Sequence, residues 1–189
     1  MTLVPPGATI GFLGGGQLGR MTALAARAMG YRIHVLDPDP ACATAPVADR
    51  CVAAPFDDVE AARELARHCQ VITLEIEQIA TSVLDAAREY APTRPSSALI
   101  GMVQDRSTQK AWLVKNGFPV GRYRSVDAPR DIADAVRAFG PSIVKTCRGG
   151  YDGRGQVRVD ASTDMEGAWA AIGRRPAVAE QTLSLAAEV

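Results

Sequence analysis

Runs of apolar residues alternate with amphipathic segments along residues 8–91. Four short apolar runs predict β-strands: ATIGFLG (8–14), YRIHVLD (31–37), DRCVAAP (49–55) and QVITLEIE (70–77). The segments after the first, third and fourth runs carry apolar residues at helical spacing, and the turn-like PDPAC follows the second. Strands separated by helices of this length predict a parallel sheet with both faces covered, which is an α/β fold.

The pattern changes after Pro92. PTRPSSALIG (92–101) is a joint rich in Pro and Ser, and DRSTQKAWLVKNG (105–117) predicts one helix. Gly117 is expected just past the end of that helix, where a left-handed backbone is common.

Beyond Phe118 the pattern predicts strand, helix, strand, glycine loop, strand, helix and strand. Two strands joined by a glycine-rich loop favour an antiparallel hairpin, so we expect a second, α+β lobe. We place the two domains at residues 1–95 and 119–189, with a connecting helical segment at 96–118.

Composition and charge narrow the class of protein. Hydrophobic residues make up 47% of the 189 residues and charged residues 22%, which is typical of a globular protein. Lys and Arg number 21, as do Asp and Glu, so no net charge favours nucleic acid or an anionic membrane. No apolar run predicts a membrane span, no signal peptide is evident, and the four cysteines lack metal-ligand spacing. We expect a cytoplasmic protein that binds neither nucleic acid nor membrane.

The first glycine motif is GGGQLGR, with G-x-G-x-x-G at Gly14, Gly16 and Gly19 between a predicted strand and a predicted helix. This context fits a helix N-terminus that binds an anion, and Asp37 ends the next strand where a dinucleotide-binding acid would lie. A plain tight turn explains the glycines equally well. NAD binding, another anion site and a structural turn all stay open from the spacing.

Charged residues stand at two further places. LEIE puts Glu75 and Glu77 on one face of a predicted strand at its C-terminal end, where ligands bind in open parallel sheets. Glu75 is the better ligand candidate, and we expect Glu77 to be solvated. Arg106 and Lys110 share a helix face, which is most often a solvated surface.

Lys145 lies inside the apolar strand SIVKTC, and a second glycine loop follows it in CRGGYDGRGQ (147–156). An ammonium in a buried strand needs an anionic partner, and a phosphate wrapped by the loop's N–H groups would serve. The loop also carries Tyr151, Asp152 and Arg154, which a plain phosphate cradle does not need.

Taken in order, GGGQLGRM, EIE, DRSTQK, the strand lysine and above all GGYDGRGQ resemble the N5-carboxyaminoimidazole ribonucleotide synthetases, ATP-grasp enzymes of purine biosynthesis. The resemblance runs over essentially the whole chain. It implies a Rossmann-like pre-ATP-grasp domain followed by the α+β small lobe of an ATP-grasp domain, cut off before the large lobe. It also implies that the first glycine loop faces the phosphate of a nucleotide substrate and that no NAD is used.

The reaction implied is ATP-dependent carboxylation of 5-aminoimidazole ribonucleotide with bicarbonate, through carboxyphosphate. The resemblance implies catalytic roles for Lys145, Asp152 and Arg154. The implied ATP contacts are Arg106, Lys145, Gly150, Tyr151, Asp152, Gly153, Arg154, Gly155, Gln156, Glu180, Gln181, Thr182, Leu183 and Glu188. The implied substrate contacts are Gly16, Gln17, Leu18, Glu75, Tyr151, Asp152 and Arg154.

The same resemblance places the Mg²⁺ ligands beyond Val189, so this chain has no expected metal ligand and is expected to be inactive alone. It also implies a homodimer. Two alternatives remain: a formate-dependent glycinamide ribonucleotide transformylase of the same superfamily, and a non-enzymatic NAD-binding Rossmann module. The loop GGYDGRGQ argues against the first, and Lys145 with the second glycine loop argues against the other.

Overall fold

The computed structural model describes residues 3–150 and 154–184, and the chain divides into two units, Met1–Gly101 and Met102–Val189. Each unit contains one four-stranded sheet. The predicted connecting segment 96–118 contains the division between the units, and helices cover most of it. Its boundaries stay a prediction.

The first unit is built on a parallel sheet, as its sequence pattern predicts. Its strands run in the order β3-β2-β1-β4, and every neighbouring pair is parallel. They are β1 (Thr9–Leu13), β2 (Arg32–Asp37), β3 (Arg50–Ala53) and β4 (Val71–Leu74).

The register of this sheet brings three loops to one edge. Leu13 pairs with Leu36 on one side and with Leu74 on the other. The residues that follow these leucines therefore lie side by side at the C-terminal edge of the sheet. This edge is where open parallel sheets bind ligands.

Helices follow each strand of this unit except where a short 3-10 turn, Ala45–Val47, precedes β3. They are α1 (Gln17–Ala28), α2 (Val59–Arg67), α3 (Thr81–Arg88) and α4 (Ser97–Val103), the last of which runs across the division between the units. The Asp58 carboxylate caps α2 by accepting the N–H of Ala61, 2.9 Å away. The core is aliphatic, and its fully buried side chains include Leu13, Ile33, Leu36, Leu65, Ile72, Ile79 and Leu84.

The helix α4 was missed by the sequence pattern, which favoured a Pro- and Ser-rich joint at 92–101. The helix is only seven residues long and contains Gly101, so its intrinsic propensity is weak. Ile100 is buried, and this packing outweighs the weak local preference.

The second unit has an antiparallel sheet in the order β5-β8-β6-β7, which confirms the predicted α+β lobe. The strands are β5 (Tyr123–Val126), β6 (Ser142–Thr146), β7 (Gln156–Val159) and β8 (Ala177–Gln181), and the helices are α5 (Arg106–Lys115), α6 (Pro129–Phe139) and α7 (Met165–Ala171). Gly117 has φ +76°, in agreement with its predicted place after α5.

The two faces of this antiparallel sheet differ. Ser142, Val144 and Thr146 of β6 are buried, and Val144 packs in the core with residues of α6 and α7. Ile143 and Lys145 alternate with them and are only partly buried. The prediction that Lys145 lies in a buried strand therefore holds for one face of β6 only, and Lys145 lies on the other, partly open face.

Candidate functional site

The first glycine loop leaves β1 at the shared edge of the parallel sheet and leads into α1. The Asp37 carboxylate holds it: Oδ2 accepts the N–H of Gly15 at 2.8 Å, and Oδ1 accepts the N–H of Asp39 at 2.9 Å. Both oxygens therefore bind backbone. Asp37 lies where a dinucleotide-binding acid would lie, but its bonds fix the loop rather than reach for a ribose.

Glu75 occupies the same edge, one residue past β4. Its Oε2 accepts the N–H of Gly16, the N-cap residue of α1, at 2.5 Å. Since β4 ends at Leu74, the prediction that Glu75 and Glu77 share a strand face is wrong. Glu77 is exposed, as expected, whereas Glu75 points back to the loop.

Gly14 has φ +95°, a left-handed backbone that favours glycine, whereas space rather than backbone conformation explains Gly15 and Gly16. A Cβ at Gly15 would overlap the Cys42 sulfur, and a Cβ at Gly16 would overlap the Glu75 carboxylate. Gly16 itself has φ −72°, an ordinary value for any residue. The loop is therefore packed against side chains.

A cavity of about 280 Å³ adjoins the loop. It is lined by Phe12, Leu18, Gly19, Thr22, Thr73, Leu74 and Glu75. The first N–H groups of a helix have no intrahelical acceptor, so those of Gln17 and Leu18 can bind an anion. Of the predicted substrate residues, Leu18 and Glu75 line this cavity, Gly16 donates its N–H to Glu75, and Gln17 lies between Gly16 and Leu18 in the chain. Helix donors therefore lie next to a carboxylate at this cavity.

In the second unit, the partly open sheet face carries a charged cluster. Glu180 lies between two lysines: Lys145 Nζ is 2.9 Å from its Oε2, and Lys110 Nζ is 3.1 Å from its Oε1. The anionic partner that was predicted for Lys145 is therefore the carboxylate of Glu180, in the same chain. Two residues expected to contact ATP, Lys145 and Glu180, bind each other.

Lys110 was not predicted to belong to the site. A solvated helix surface was the favoured interpretation of its spacing from Arg106, and it is wrong for Lys110, whose side chain is only 16% exposed. The helix face that Lys110 shares with Arg106 was the feature of the sequence that could have placed it in the site. Only the packing of α5 on the sheet shows what that face contacts.

The lysines set the ionisation of Glu180. Burial alone raises its pKa, but the hydrogen bonds from Lys145 and Lys110 outweigh burial, so the pKa of Glu180 falls below its ordinary value of 4.5. The carboxylate is therefore ionised at neutral pH, and the three side chains carry a net charge of plus one.

Arg106 supports the second glycine loop. Its guanidinium donates from Nη1 to the carbonyl of Thr146 and from Nη2 to the carbonyl of Gly150, both at 2.8 Å. A Cβ at Gly155, which has φ +67°, would come within 2.7 Å of the Thr146 hydroxyl. Arg106 thus binds the base of the loop, where it is placed to fix the loop rather than only to meet a ligand.

The remaining predicted residues are placed as follows. Arg154 is exposed in the turn before β7, and Gln156 is the exposed first residue of β7. Gln181 ends β8, and Thr182 and Leu183 follow it exposed. Tyr151, Asp152, Gly153 and Glu188 lie outside the described residues, so their predicted roles stay predictions.

Residues 3–150 and 154–184 contain neither a metal-binding cluster nor a membrane-spanning helix. No group of three or more His, Cys, Asp or Glu side chains there could hold a metal ion. In the same part of the chain, every helix is too short or too polar to cross a bilayer.

Family models match both parts of the chain. The ribonucleotide synthetase preATP-grasp domain matches residues 7–104, and the ATP-grasp domain matches residues 111–189. N5-carboxyaminoimidazole ribonucleotide synthases are similar to the whole chain: that of Brucella melitensis is 40% identical over 100% of this chain and 53% of its own length. That of Bacillus subtilis is 36% identical over 99% of this chain and 50% of its own length.

Solved structures agree. N5-carboxyaminoimidazole synthetase from Staphylococcus aureus, complexed with ADP, has a TM-score of 0.90 and 39% identity over 96% of this chain and 49% of its own. The Aspergillus clavatus synthase, in complex with ADP and 5-aminoimidazole ribonucleotide, has a TM-score of 0.77 and 31% identity over 93% of this chain and 46% of its own.

The chain spans about half the length of the curated relatives it matches. The fold is the predicted one, a parallel-sheet pre-ATP-grasp domain followed by an α+β part of an ATP-grasp domain. The first family model covers just over half of the chain, and the Brucella melitensis relative is similar to the chain over its full length. The chain therefore belongs to the ribonucleotide synthetase preATP-grasp family.

Proposed function

We propose that this chain provides the ribonucleotide site and part of the ATP site of an N5-carboxyaminoimidazole ribonucleotide synthase. In that reaction ATP phosphorylates bicarbonate, releasing ADP. The product of that step is carboxyphosphate. The exocyclic amine of 5-aminoimidazole ribonucleotide then attacks the carboxyl carbon of carboxyphosphate and loses a proton, and phosphate leaves. The relatives at 36–40% identity carry this name, which supports the assignment.

The observation that carries the proposal is Glu75 bound to Gly16 beside the start of α1. A ribonucleotide has hydroxyl and amine donors for a carboxylate and a phosphate for helix N–H groups, so this edge suits its two ends. A phosphate on Gly16 itself would meet the negative charge of Glu75. The N–H groups of Gln17 and Leu18 are therefore the better place for it.

ATP is assigned to the second unit. The net positive charge of the Lys110, Glu180 and Lys145 cluster suits a polyphosphate, and Arg106 holds the glycine loop that follows β6. We assign Gly150, Gly153 and Gly155 with Gln156 to closure over the phosphates. The β8 end, from Glu180 to Leu183, and Glu188 are assigned to adenine and ribose.

Tyr151, Asp152 and Arg154 are assigned to both substrates. Carboxyphosphate hydrolyses readily, so a loop that excludes water and aligns the amine protects it. Asp152 would accept a proton from, or orient, the exocyclic amine. Mg²⁺ would neutralise the charge that develops on the phosphates of ATP, and none of residues 3–150 and 154–184 is proposed to hold it.

The NAD alternative fits the structure less well, because both oxygens of Asp37 already bind backbone N–H groups. The transformylase alternative is not favoured by the relatives, which are named as carboxyaminoimidazole ribonucleotide synthases.

Calorimetric titration with 5-aminoimidazole ribonucleotide tests the proposal, with NADH as a parallel ligand. We expect the ribonucleotide to bind and NADH not to bind. Glu75→Gln should lower ribonucleotide affinity about tenfold, because a charge-assisted hydrogen bond is lost. Glu77→Gln is the matched control and should change affinity less than about twofold. Binding of NADH alone, or an equal effect of both variants, contradicts the proposal.

A further inference from the structure

The Glu180 carboxylate is shared by two lysines, one on each oxygen. Lys145 reaches it along the sheet: Glu180 pairs with Ile143 in the β6–β8 ladder, and Lys145 projects from the same face two residues further on. Lys110 reaches it from α5, which lies on β8. A single carboxylate thus faces two ammonium groups.

Lys110 is fixed at this position by more than one contact. Its Nζ lies 5.4 Å from the ring centroid of Tyr123, which is paired with Glu180 across the β5–β8 ladder. Such a cation–π contact adds to the ion pair and orients the ammonium. On the same helix face, Arg106 is anchored to the backbone of Thr146 and Gly150. The placement of Lys110 is therefore built into the packing of α5.

The charge of the cluster depends on Lys110. A Lys145–Glu180 pair alone would be neutral, and Lys145 would direct its charge wholly to that carboxylate. With Lys110 on the second oxygen, the carboxylate is shared and the cluster keeps a charge of plus one. Lys145 also keeps two further N–H donors.

We propose that Lys110 is a positioning residue for the nucleotide: it holds Glu180 and thereby leaves the charge of Lys145 available for a phosphate. This inference rests on the proposed ATP site in this unit. Lys110 itself need not touch the nucleotide. It acts through the carboxylate that it shares with Lys145.

Titration of Glu180 by ¹³C NMR of the side-chain carboxyl tests the coupling in the intact chain. Lys110→Met keeps the apolar stem and removes the charge, so we expect the pKa of Glu180 to rise. Lys110→Arg should keep it close to that of the unchanged chain. Lys115→Met is the matched control, since Lys115 is an exposed lysine on the same helix, and it should leave the titration unchanged.

Calorimetry with ADP tests the consequence for binding. We expect Lys110→Met to weaken ADP binding about tenfold, with affinity restored by Lys110→Arg and changed less than about twofold by Lys115→Met. An unchanged Glu180 titration in Lys110→Met overturns the inference, and so does an ADP affinity lowered equally by Lys115→Met.

One measurement does not depend on how the variants fold. In the unchanged chain, the ¹⁵N signals of the Lys110 and Lys145 ammonium groups should both shift at the pH where Glu180 takes up its proton. A Lys110 signal that stays constant through that pH overturns the inference. Intact coupling without any ADP binding instead removes the proposed ATP site, so the two failures are distinguishable.

Discussion

The two glycine loops of this chain are held by groups of opposite charge. In the first loop, carboxylates accept backbone N–H groups: Asp37 binds Gly15 and Glu75 binds Gly16. In the second loop, the Arg106 guanidinium donates to backbone carbonyls. The first loop therefore donates backbone N–H groups to carboxylates, and backbone carbonyls at the second loop accept hydrogen bonds from a guanidinium.

This difference indicates what each loop is suited to bind. Beside the first loop a negative carboxylate remains, which favours a ligand with donor groups as well as an anionic group. At the second loop Arg106 covers carbonyl dipoles that would repel a phosphate, and a cluster of net charge plus one lies on the same sheet. The loops are alike in composition and different in electrostatics.

Gly16→Ala should have the largest effect, because it breaks the contact between the first loop and its acid. The backbone at Gly16 accepts alanine, so the effect is steric: the new Cβ would displace the Glu75 carboxylate. We expect ribonucleotide affinity to fall about 30-fold, equivalent to about 2 kcal/mol, measured by calorimetry.

Gly121→Ala is the control for that variant. A Cβ there would meet only ordinary contacts, the nearest atom being 3.7 Å away, so affinity should be unchanged. Unaltered binding by Gly16→Ala would show that the position of Glu75 is irrelevant to the ligand.

Arg106→Met removes the base that holds the second loop. We expect faster hydrogen exchange in residues 149–150 and 154–156 and an ADP affinity about tenfold lower, because two charge-assisted hydrogen bonds are lost. Arg148→Met removes an exposed arginine that pairs with Asp105, and it should leave both readouts unchanged. Equal exchange rates in the two variants would mean that Arg106 does not fix the loop.

The sequence predicted the alternation of elements and acids near the first glycine loop, and it missed the contacts that depend on packing. Strand endings placed Gly14, Asp37 and Glu75 at one sheet edge, because parallel strands end together. The pairing of Glu180 with Lys110 joins residues 70 positions apart, through a helix that packs on a strand. No local pattern carries that contact.

The same limit applies to Asp37. Its distance from the glycines predicted an acid beside the loop, and the structure places it there. Whether it binds a ribose or the backbone depends on the direction in which the carboxylate points. Spacing along the chain does not contain that information.

A buried threonine lies next to each loop, and the two differ in whether the hydroxyl is hydrogen-bonded. Their replacement should change the free energy of unfolding by a smaller amount. The Thr44 hydroxyl donates to the carbonyl of Gly16, whereas the buried Thr146 hydroxyl has no hydrogen-bond partner among the described residues. Thr44→Val should destabilise the chain by about 1 kcal/mol, and Thr146→Val should stabilise it by a similar amount in denaturant unfolding. A loss of stability in both variants would mean that the second hydroxyl is bonded after all.

The smallest effect that we expect is on stability in acid, where the two units differ in what lowers the pKa of a carboxylate. In the first unit the N–H of Ile33, and then Arg27, hold the pKa of Asp49 below its ordinary value of 3.8. In the second, burial raises the pKa of Glu180, and the two lysines lower it further than burial raises it. Both folded pKa values lie below the unfolded ones, so each contribution is fully present above the unfolded pKa and is lost as pH falls through the folded one.

Asp49→Asn should therefore flatten the fall of the melting temperature between about pH 5 and about pH 3, with exposed Asp57→Asn as the control. Lys110→Met should leave the contribution of Asp49 intact and reduce only that of Glu180, because Asp49 depends on a backbone donor and a different cation. Melting curves that change in parallel for Asp49→Asn and Lys110→Met would show that one shared electrostatic field, rather than two local ones, sets the acid stability.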